Sequence, residues 1–130
     1  MNNKGFTLVE LVIIMVVLGI LAAVAVPRMG NTISSSEEAA ENTVIASLRS
    51  AVEVYAMDQV VENSNKSYPT NPFDELDKLP DGYTGMGTPD EDGEWVFTGD
   101  SHIAHQRNDN SRYKWYYDSS TGEFGDRVAY

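Results

Sequence analysis

The chain opens with an apolar run long enough to cross a membrane. From Phe6 to Val26 the run has 21 residues, and its only charged side chain is that of Glu10. As a helix it would rise about 30 Å, which is the thickness of the hydrocarbon core of a bilayer. Lys4 precedes the run and favours an N-terminus on the cytoplasmic side. We therefore expect a helix that is inserted in a membrane at some stage.

Two ordinary interpretations leave Glu10 unexplained. Ala23-Val24-Ala25 fits the small-residue pattern of a signal-peptide cleavage site, so the run is a candidate secretory leader that is removed whole. The run is also a candidate inert single-pass anchor. A carboxylate in the hydrocarbon region costs about 2.5 to 3.5 kcal/mol and usually marks a function or a partner. Neither interpretation needs such a residue.

The residues around this carboxylate form a specific motif. The stretch Lys4-Gly5-Phe6-Thr7-Leu8-Val9-Glu10 resembles the prepilin signature of the type IV filament family, the pilins and type II secretion pseudopilins. The resemblance implies that a membrane-embedded prepilin peptidase cuts after Gly5 and methylates the new amine of Phe6. Residues 1–5 would then be the leader, and the apolar helix would remain on the mature protein.

The same resemblance implies an assembly role for Glu10. In staggered helices, its carboxylate lies at the depth of the Phe6 amine of another subunit, and opposite charges attract strongly where the dielectric constant is low. Each charge would offset the burial cost of the other. Before assembly, pairing of Glu10 with the Phe6 amine of its own chain is the alternative.

Helical periodicity continues beyond the apolar run. Gly19 and Pro27 weaken a helix, so we expect a bend or a local loosening between them, as in filament subunits of the family, or a tolerated kink. We assign residues 6–27 to a transmembrane and filament-core helix and residues 28–62 to its amphipathic continuation. The continuation has an apolar face formed by Val44, Ile45, Leu48, Val52, Tyr55 and Ala56. The charged residues Glu37, Glu38, Glu41, Arg49 and Glu53 are expected mainly on its other faces.

Residues 63–130 are expected to form a small β head. Residues 94–98 and 112–117 have the pattern of strands, and residues 118–122 that of a turn leading to Glu123 and Phe124. The alternating aromatic residues predict an antiparallel sheet whose aromatic face packs on the amphipathic helix. The expected fold class is therefore α+β and pilin-like, with a long N-terminal helix on a C-terminal antiparallel sheet.

Charge and composition limit the chemistry of the head. The formal net charge of −11 disfavours nucleic-acid binding by this subunit alone and favours divalent cations or basic partners. Asp90, Asp92 and Glu94 surround a turn-forming glycine and are a candidate calcium site, although the spacing is not that of an EF-hand; a solvated acidic turn is the alternative. His102 and His105, with Asp100 and Asp109 nearby in an expected loop, are a weaker zinc candidate. No cofactor is otherwise required, and no motif of an independent enzyme is present.

These patterns predict a structural protein rather than an enzyme. Tyr68-Pro69-Thr70 and residues 115–124 resemble stretches of pseudopilins, and the chain lacks the C-terminal cysteine pair of many type IV pilins. We therefore expect a pseudopilin in the bacterial inner membrane, with its head outside the cytoplasm. Its expected partners are other filament subunits, the prepilin peptidase and the inner-membrane assembly platform. The alternatives are a surface type IV pilin and a secreted acidic binding module with a conventional signal peptide, with or without calcium dependence.

Overall fold

A computed structural model describes residues 4–130 of the chain. The elements are α1 (Leu8–Asn63), a short 3₁₀ helix (Pro72–Glu75), β1 (Tyr83–Met86), β2 (Trp95–Phe97), β3 (His102–Gln106), β4 (Arg112–Asp118), β5 (Glu123–Phe124) and β6 (Val128–Ala129). Two compact units are present, one ending at Glu38 and the other spanning Ala39–Tyr130. We call the second unit the head, and it includes residues 39–63 of α1.

The long helix has an identifiable start and end. It begins at Leu8, two residues after Phe6, and ends at Asn63. Ser64 follows with a φ of 55°, in the left-handed region where the helix direction is lost. Gly19 and Pro27 both lie inside α1. A loosening of the helix between them in a filament therefore stays a prediction.

The sheet has six strands, in the order β1-β2-β3-β4-β5, with β6 also paired to β4. The pairs from β2 to β5 and the β4–β6 pair are antiparallel. β1 pairs with β2 in parallel, with an irregular register between Tyr83 and Gly85. The predicted strands at 94–98 and 112–117 are confirmed as β2 and β4, and the predicted turn after β4 leads into β5. β1, β3 and β6 were missed because they are short or lack alternating aromatic residues.

The core lies between the sheet and residues 39–63 of α1. The helix contributes a buried stripe, and the sheet contributes large aromatic residues from alternate positions of β2 and β4. The core residues are Ile45, Leu48, Val52, Phe73, Trp95, Phe97, Ile103, Trp115 and Tyr117. The predicted packing of an aromatic sheet face on an amphipathic helix is confirmed, and with it the α+β fold class. Tyr55, expected on the buried face, is only half-buried.

The connection after α1 is held against the β4–β5 turn. The hydroxyl of buried Tyr117 donates to the carbonyl of Pro69 over 2.7 Å. Burial, followed by nearby Asp118, raises the pKa of Tyr117 to about 12, so this hydroxyl remains a donor. Gly122, at a φ of 73°, lies so close to the Tyr68 ring that an added Cβ would come within 2.3 Å of it. This turn therefore requires glycine for both space and conformation.

Candidate functional site

The first turn of α1 contains a reciprocal hydrogen-bond pair next to the predicted cleavage site. The Thr7 backbone N–H donates to the Glu10 carboxylate over 2.9 Å, and the Glu10 N–H donates to the Thr7 hydroxyl over 3.3 Å. This is a capping box, in which two backbone donors that have no helical partner are satisfied by side chains. Gly5 and Phe6 precede the helix and are exposed. The scissile bond predicted between them is therefore accessible in this conformation.

The capping box gives Glu10 a structural role that its charge alone does not predict. Thr7 and Glu10 have the spacing Thr-x-x-Glu, which is the pattern of a capping box. In the structure the Glu10 carboxylate caps the helix, which begins one residue after Thr7. Its role in assembly stays a prediction.

The apolar run on α1 has no partner within the described chain. Every residue from Leu8 to Ile33 is exposed, and Leu18 and Leu21 are each 60% exposed. Among the described residues, α1 is the one helix long and apolar enough to cross a membrane, judged by length and composition. Such a surface requires a lipid or protein environment to remove it from water.

The head contains a buried cluster of charges centred on Glu41. Arg107 forms a two-pronged ion pair with this carboxylate, with Nε 2.8 Å from Oε1 and Nη2 2.7 Å from Oε2. His105 Nδ1 lies 2.9 Å from Oε1, and Arg127 Nη1 lies 3.3 Å from Oε2. Tyr113 stacks beneath both guanidinium groups, at 4.2 and 5.0 Å from the ring centroid. The negative charge of Glu41 is therefore compensated by cationic partners.

The location of Glu41 corrects the sequence analysis. We expected it mainly away from the apolar face, but it is fully buried at the end of the stripe that continues through Ile45 and Leu48. Burial by itself would raise the pKa of Glu41. The hydrogen bonds and positive charges of Arg107 and His105 outweigh burial and lower the pKa to about 2. The sequence signal was the helical spacing of Glu41 to Ile45, but its cationic partners are more than 60 residues away.

The two histidines do not form the metal site that we considered. Both lie in strand β3 rather than in the expected loop. His105 faces Glu41 and stacks on Trp95 at a centroid distance of 4.3 Å, while His102 pairs with Asp100 over 3.2 Å. The zinc candidate was therefore wrong, because the two imidazoles are held by different carboxylates.

The acidic loop before β2 is organised by Glu94. Its carboxylate accepts hydrogen bonds from the backbone N–H groups of Asp90 and Glu91 and from the hydroxyl of Thr84. Led by the Thr84 hydrogen bond, these contacts lower the pKa of Glu94. Asp92 accepts from the Gln106 side chain over 3.4 Å. Within residues 4–130, no group of three or more His, Cys, Asp or Glu residues is arranged to hold a metal ion. Calcium binding by Asp90, Asp92 and Glu94 stays a prediction.

Comparison with protein families identifies the class of the N-terminal segment. Residues 1–26 match the family model described as the prokaryotic N-terminal methylation motif. This match covers the predicted processing site, the capping box and the apolar run.

The curated relatives fall into two groups, type IV fimbrial or pilus proteins and type II secretion system core proteins G. The chain is 40% identical over 56 residues to the type IV major fimbrial protein FimA of Dichelobacter nodosus, covering 43% of this chain and 36% of the relative. It is 39% identical over 70 residues to the type II secretion system core protein G of Aeromonas hydrophila, covering 53% of this chain and 44% of the relative. It is 41% identical over 66 residues to the type IV wide pilus major component PilA4 of Thermus thermophilus, covering 51% and 48%.

These matches confirm the resemblance to type IV pilins and type II secretion pseudopilins found from the sequence. Each match spans less than half of the relative's length. No solved structure matches the chain significantly.

Proposed function

We propose that this protein is a structural subunit of a type IV-like filament, and specifically a type II secretion pseudopilin. The observation that carries the proposal is the methylation motif joined to a helix whose apolar surface has no partner within the described chain. The relatives named as protein G and the pseudopilin-like stretches around Tyr68 and Tyr117 support the secretion branch. A surface type IV pilin is the second candidate, favoured by similar identity to the fimbrial proteins.

In the proposed function, the apolar helix lies first in the membrane and later in the filament core. It first anchors the chain in the bacterial inner membrane, with the head outside the cytoplasm. Prepilin peptidase cuts after Gly5 and methylates Phe6, and the assembly platform then moves the helix from lipid into the filament core. Each environment removes the apolar side chains from water. Gly19 and Pro27 would allow the helix to loosen in the filament.

Mass spectrometry of the mature N-terminus tests this proposal. A chain that begins with methylated Phe6 is the expected result. A chain that begins at Val26 would instead identify residues 1–25 as an ordinary secretory leader and support the secreted binding module. Deletion of the gene separates the two candidates. Loss of secretion with surface filaments retained supports the pseudopilin, and loss of the surface filaments supports the surface pilin.

Substitution of Glu10 separates its charge from its capping role. A Glu10→Gln variant retains an acceptor for the Thr7 N–H, because capping boxes use Glu or Gln at this position. It removes the charge that would pair with a Phe6 amine. An unpaired charge in the filament core costs about 2.5 to 3.5 kcal/mol, so we expect about a hundredfold loss of filaments with processing unchanged. Filament yield equal to that of the unmodified protein would exclude charge pairing as the assembly determinant.

A further inference from the structure

The outer face of the sheet has an exposed basic and aromatic surface. The residues alternate with the core positions of β4, and the pairing of Lys114 with Val128 places β6 on the same face. Tyr116, Val128 and Tyr130 are 48%, 49% and 46% exposed, and Lys114 Nζ lies 5.1 Å from the centroid of the Tyr130 ring. We call Arg112, Lys114, Tyr116, Val128 and Tyr130 the basic-aromatic face.

This surface differs from the rest of a strongly acidic chain. The formal net charge is −11, yet here two cationic side chains are interleaved with two tyrosines and a valine. The same alternation places Asp118 and its cross-strand partner Glu123 at the end of this face. Tyrosine and arginine are the residue types enriched where proteins bind each other, and contiguous exposed apolar patches mark such sites. The partner that fits is an acidic surface with an apolar floor.

A groove of this chemistry is present in the head. It has a volume of about 980 Å³ and lies between α1 and the segment that follows the 3₁₀ helix. Its helix side is lined by small polar and apolar residues, Asp58, Glu75 and Asp77 supply negative charge, and Lys78 is its one basic residue. Its lining residues are Asn42, Thr43, Ala46, Ser47, Ser50, Ala51, Val54, Tyr55, Asp58, Glu75, Leu76, Asp77 and Lys78. We call it the acidic groove.

The two surfaces belong to opposite edges of the sheet. The segment that borders the acidic groove leads directly into β1, which is the first strand of the order β1-β2-β3-β4-β5. The basic-aromatic face belongs to β4 and β6, at the other end of that order. One head therefore cannot bring its own two surfaces together, but two heads can.

We propose that the basic-aromatic face of one copy of this chain docks in the acidic groove of the next copy. The contact uses two different patches, so it is head-to-tail and continues from copy to copy when the rotation does not close. Tyr116 and Tyr130 pack on the small residues of the groove, while Lys114 pairs with Asp77. This interface rests on the proposed filament function and adds to it a head-to-tail contact between the heads of neighbouring copies.

A charge exchange tests the docking in the full-length chain within its native filament system. We expect Lys114→Glu and Asp77→Lys each to lower filament yield, counted by electron microscopy, by about tenfold or more. The double variant should recover most of the yield, because the pair is restored with reversed polarity. Lys66→Glu is the matched control. Lys66 is exposed, and its contacts are a surface ion pair with Glu53 at 3.7 Å and the Tyr68 ring at 5.2 Å, so the filament yield should not change.

Disulfide trapping provides a readout that does not depend on loss of assembly. The chain has no cysteine, so Tyr130→Cys combined with Asp77→Cys introduces one thiol on each surface. We expect a ladder of covalent multimers from oxidised filaments of the double variant, and no ladder from either single variant. Filaments of the double variant without a ladder would overturn the docking.

The outcomes distinguish this inference from the proposed function. An unprocessed N-terminus and no filaments from the unmodified chain would overturn the filament function itself. Normal filaments from Lys114→Glu would overturn the docking alone. Loss of filaments in both single variants without recovery in the double variant would also overturn it, because the two surfaces would then bind other partners.

Discussion

The two parts of α1 differ in how their apolar side chains can be removed from water. Up to Ile33 the apolar residues lie on all sides and are exposed. From Glu41 onward a single stripe is buried, and Leu48, Val52 and Ala56 are each 0% exposed. The later part packs on the sheet of the same chain, whereas the earlier part needs lipid or other chains to remove its side chains from water.

This difference predicts where mutations act. Side chains on the buried stripe contribute to the folding of the head, because unfolding exposes them to water. Under the proposed filament function, side chains of the apolar run contribute to insertion and assembly, and all residues from Leu8 to Ile33 are exposed in the described chain. Both tryptophans lie in the head core, so their fluorescence reports the unfolding of the head in the full-length chain.

Glu41→Ala is expected to have the largest effect on the head. Arg107 would remain buried without its main partner, and breaking such a pair costs about 3 to 5 kcal/mol. Denaturant unfolding of the detergent-solubilised chain, followed by tryptophan fluorescence, measures the loss. Glu53→Ala removes an exposed carboxylate and should cost less than about 1 kcal/mol. Equal losses in the two variants would contradict a special role of the buried cluster.

One leucine in each of the two parts of α1 provides a matched pair of substitutions. Leu48 is 0% exposed and Leu18 is 60% exposed. Leu48→Ala should lower the free energy of unfolding of the head by about 2 to 5 kcal/mol through the cavity that it leaves. Leu18→Ala should leave it unchanged in the same assay. A loss at Leu18 would show that the apolar run contributes to the stability of the head.

Lowering the pH should reduce the stability of the head by protonating Glu41 in the buried cluster. The pKa of Glu41 is lowered from 4.5 to about 2 in the folded protein, so its ionised form stabilises the fold at pH above about 4.5. That contribution, about 3 kcal/mol, is lost as the pH falls from about 4.5 to about 2. Unfolding curves at several pH values measure it as the difference between the unmodified protein and Glu41→Gln. A difference that is independent of pH over this range would exclude Glu41 as its source.

The smallest expected effect is at the start of α1. Thr7→Ala removes one side of the capping box and should cost about 1 kcal/mol locally. We expect amide hydrogen exchange of Glu10 and Leu11 in micelles to be about fivefold faster, because these amides donate to the Thr7 hydroxyl and carbonyl, with the stability of the head unchanged. Thr32→Ala is the control, because the Thr32 hydroxyl donates to the carbonyl of Arg28 within the helix and caps nothing. Unchanged exchange at Glu10 and Leu11 would contradict the capping role.

Local signals accounted for the elements that were predicted correctly. Strands β2 and β4 have aromatic alternation, and α1 has helical periodicity over its second half. No local pattern predicts the parallel pairing of β1 with β2, because this pairing depends on the path of the loop of residues 87–94. The Thr7–Glu10 capping box was readable from its spacing, whereas the acidic groove depends on the placement of the 75–78 segment beside the helix.

The apolar run, its processing motif and the amphipathic stripe follow from residues that are close together in the chain. Their physical basis is local, because hydrophobicity and helix period need no distant partner. The burial of Glu41 could be decided only by the tertiary structure. A buried carboxylate is stable when cations surround it, and Arg107 and Arg127 reach it from positions 66 and 86 residues away. The opposite edges of the sheet are likewise defined by strand order, which is a property of the folded chain.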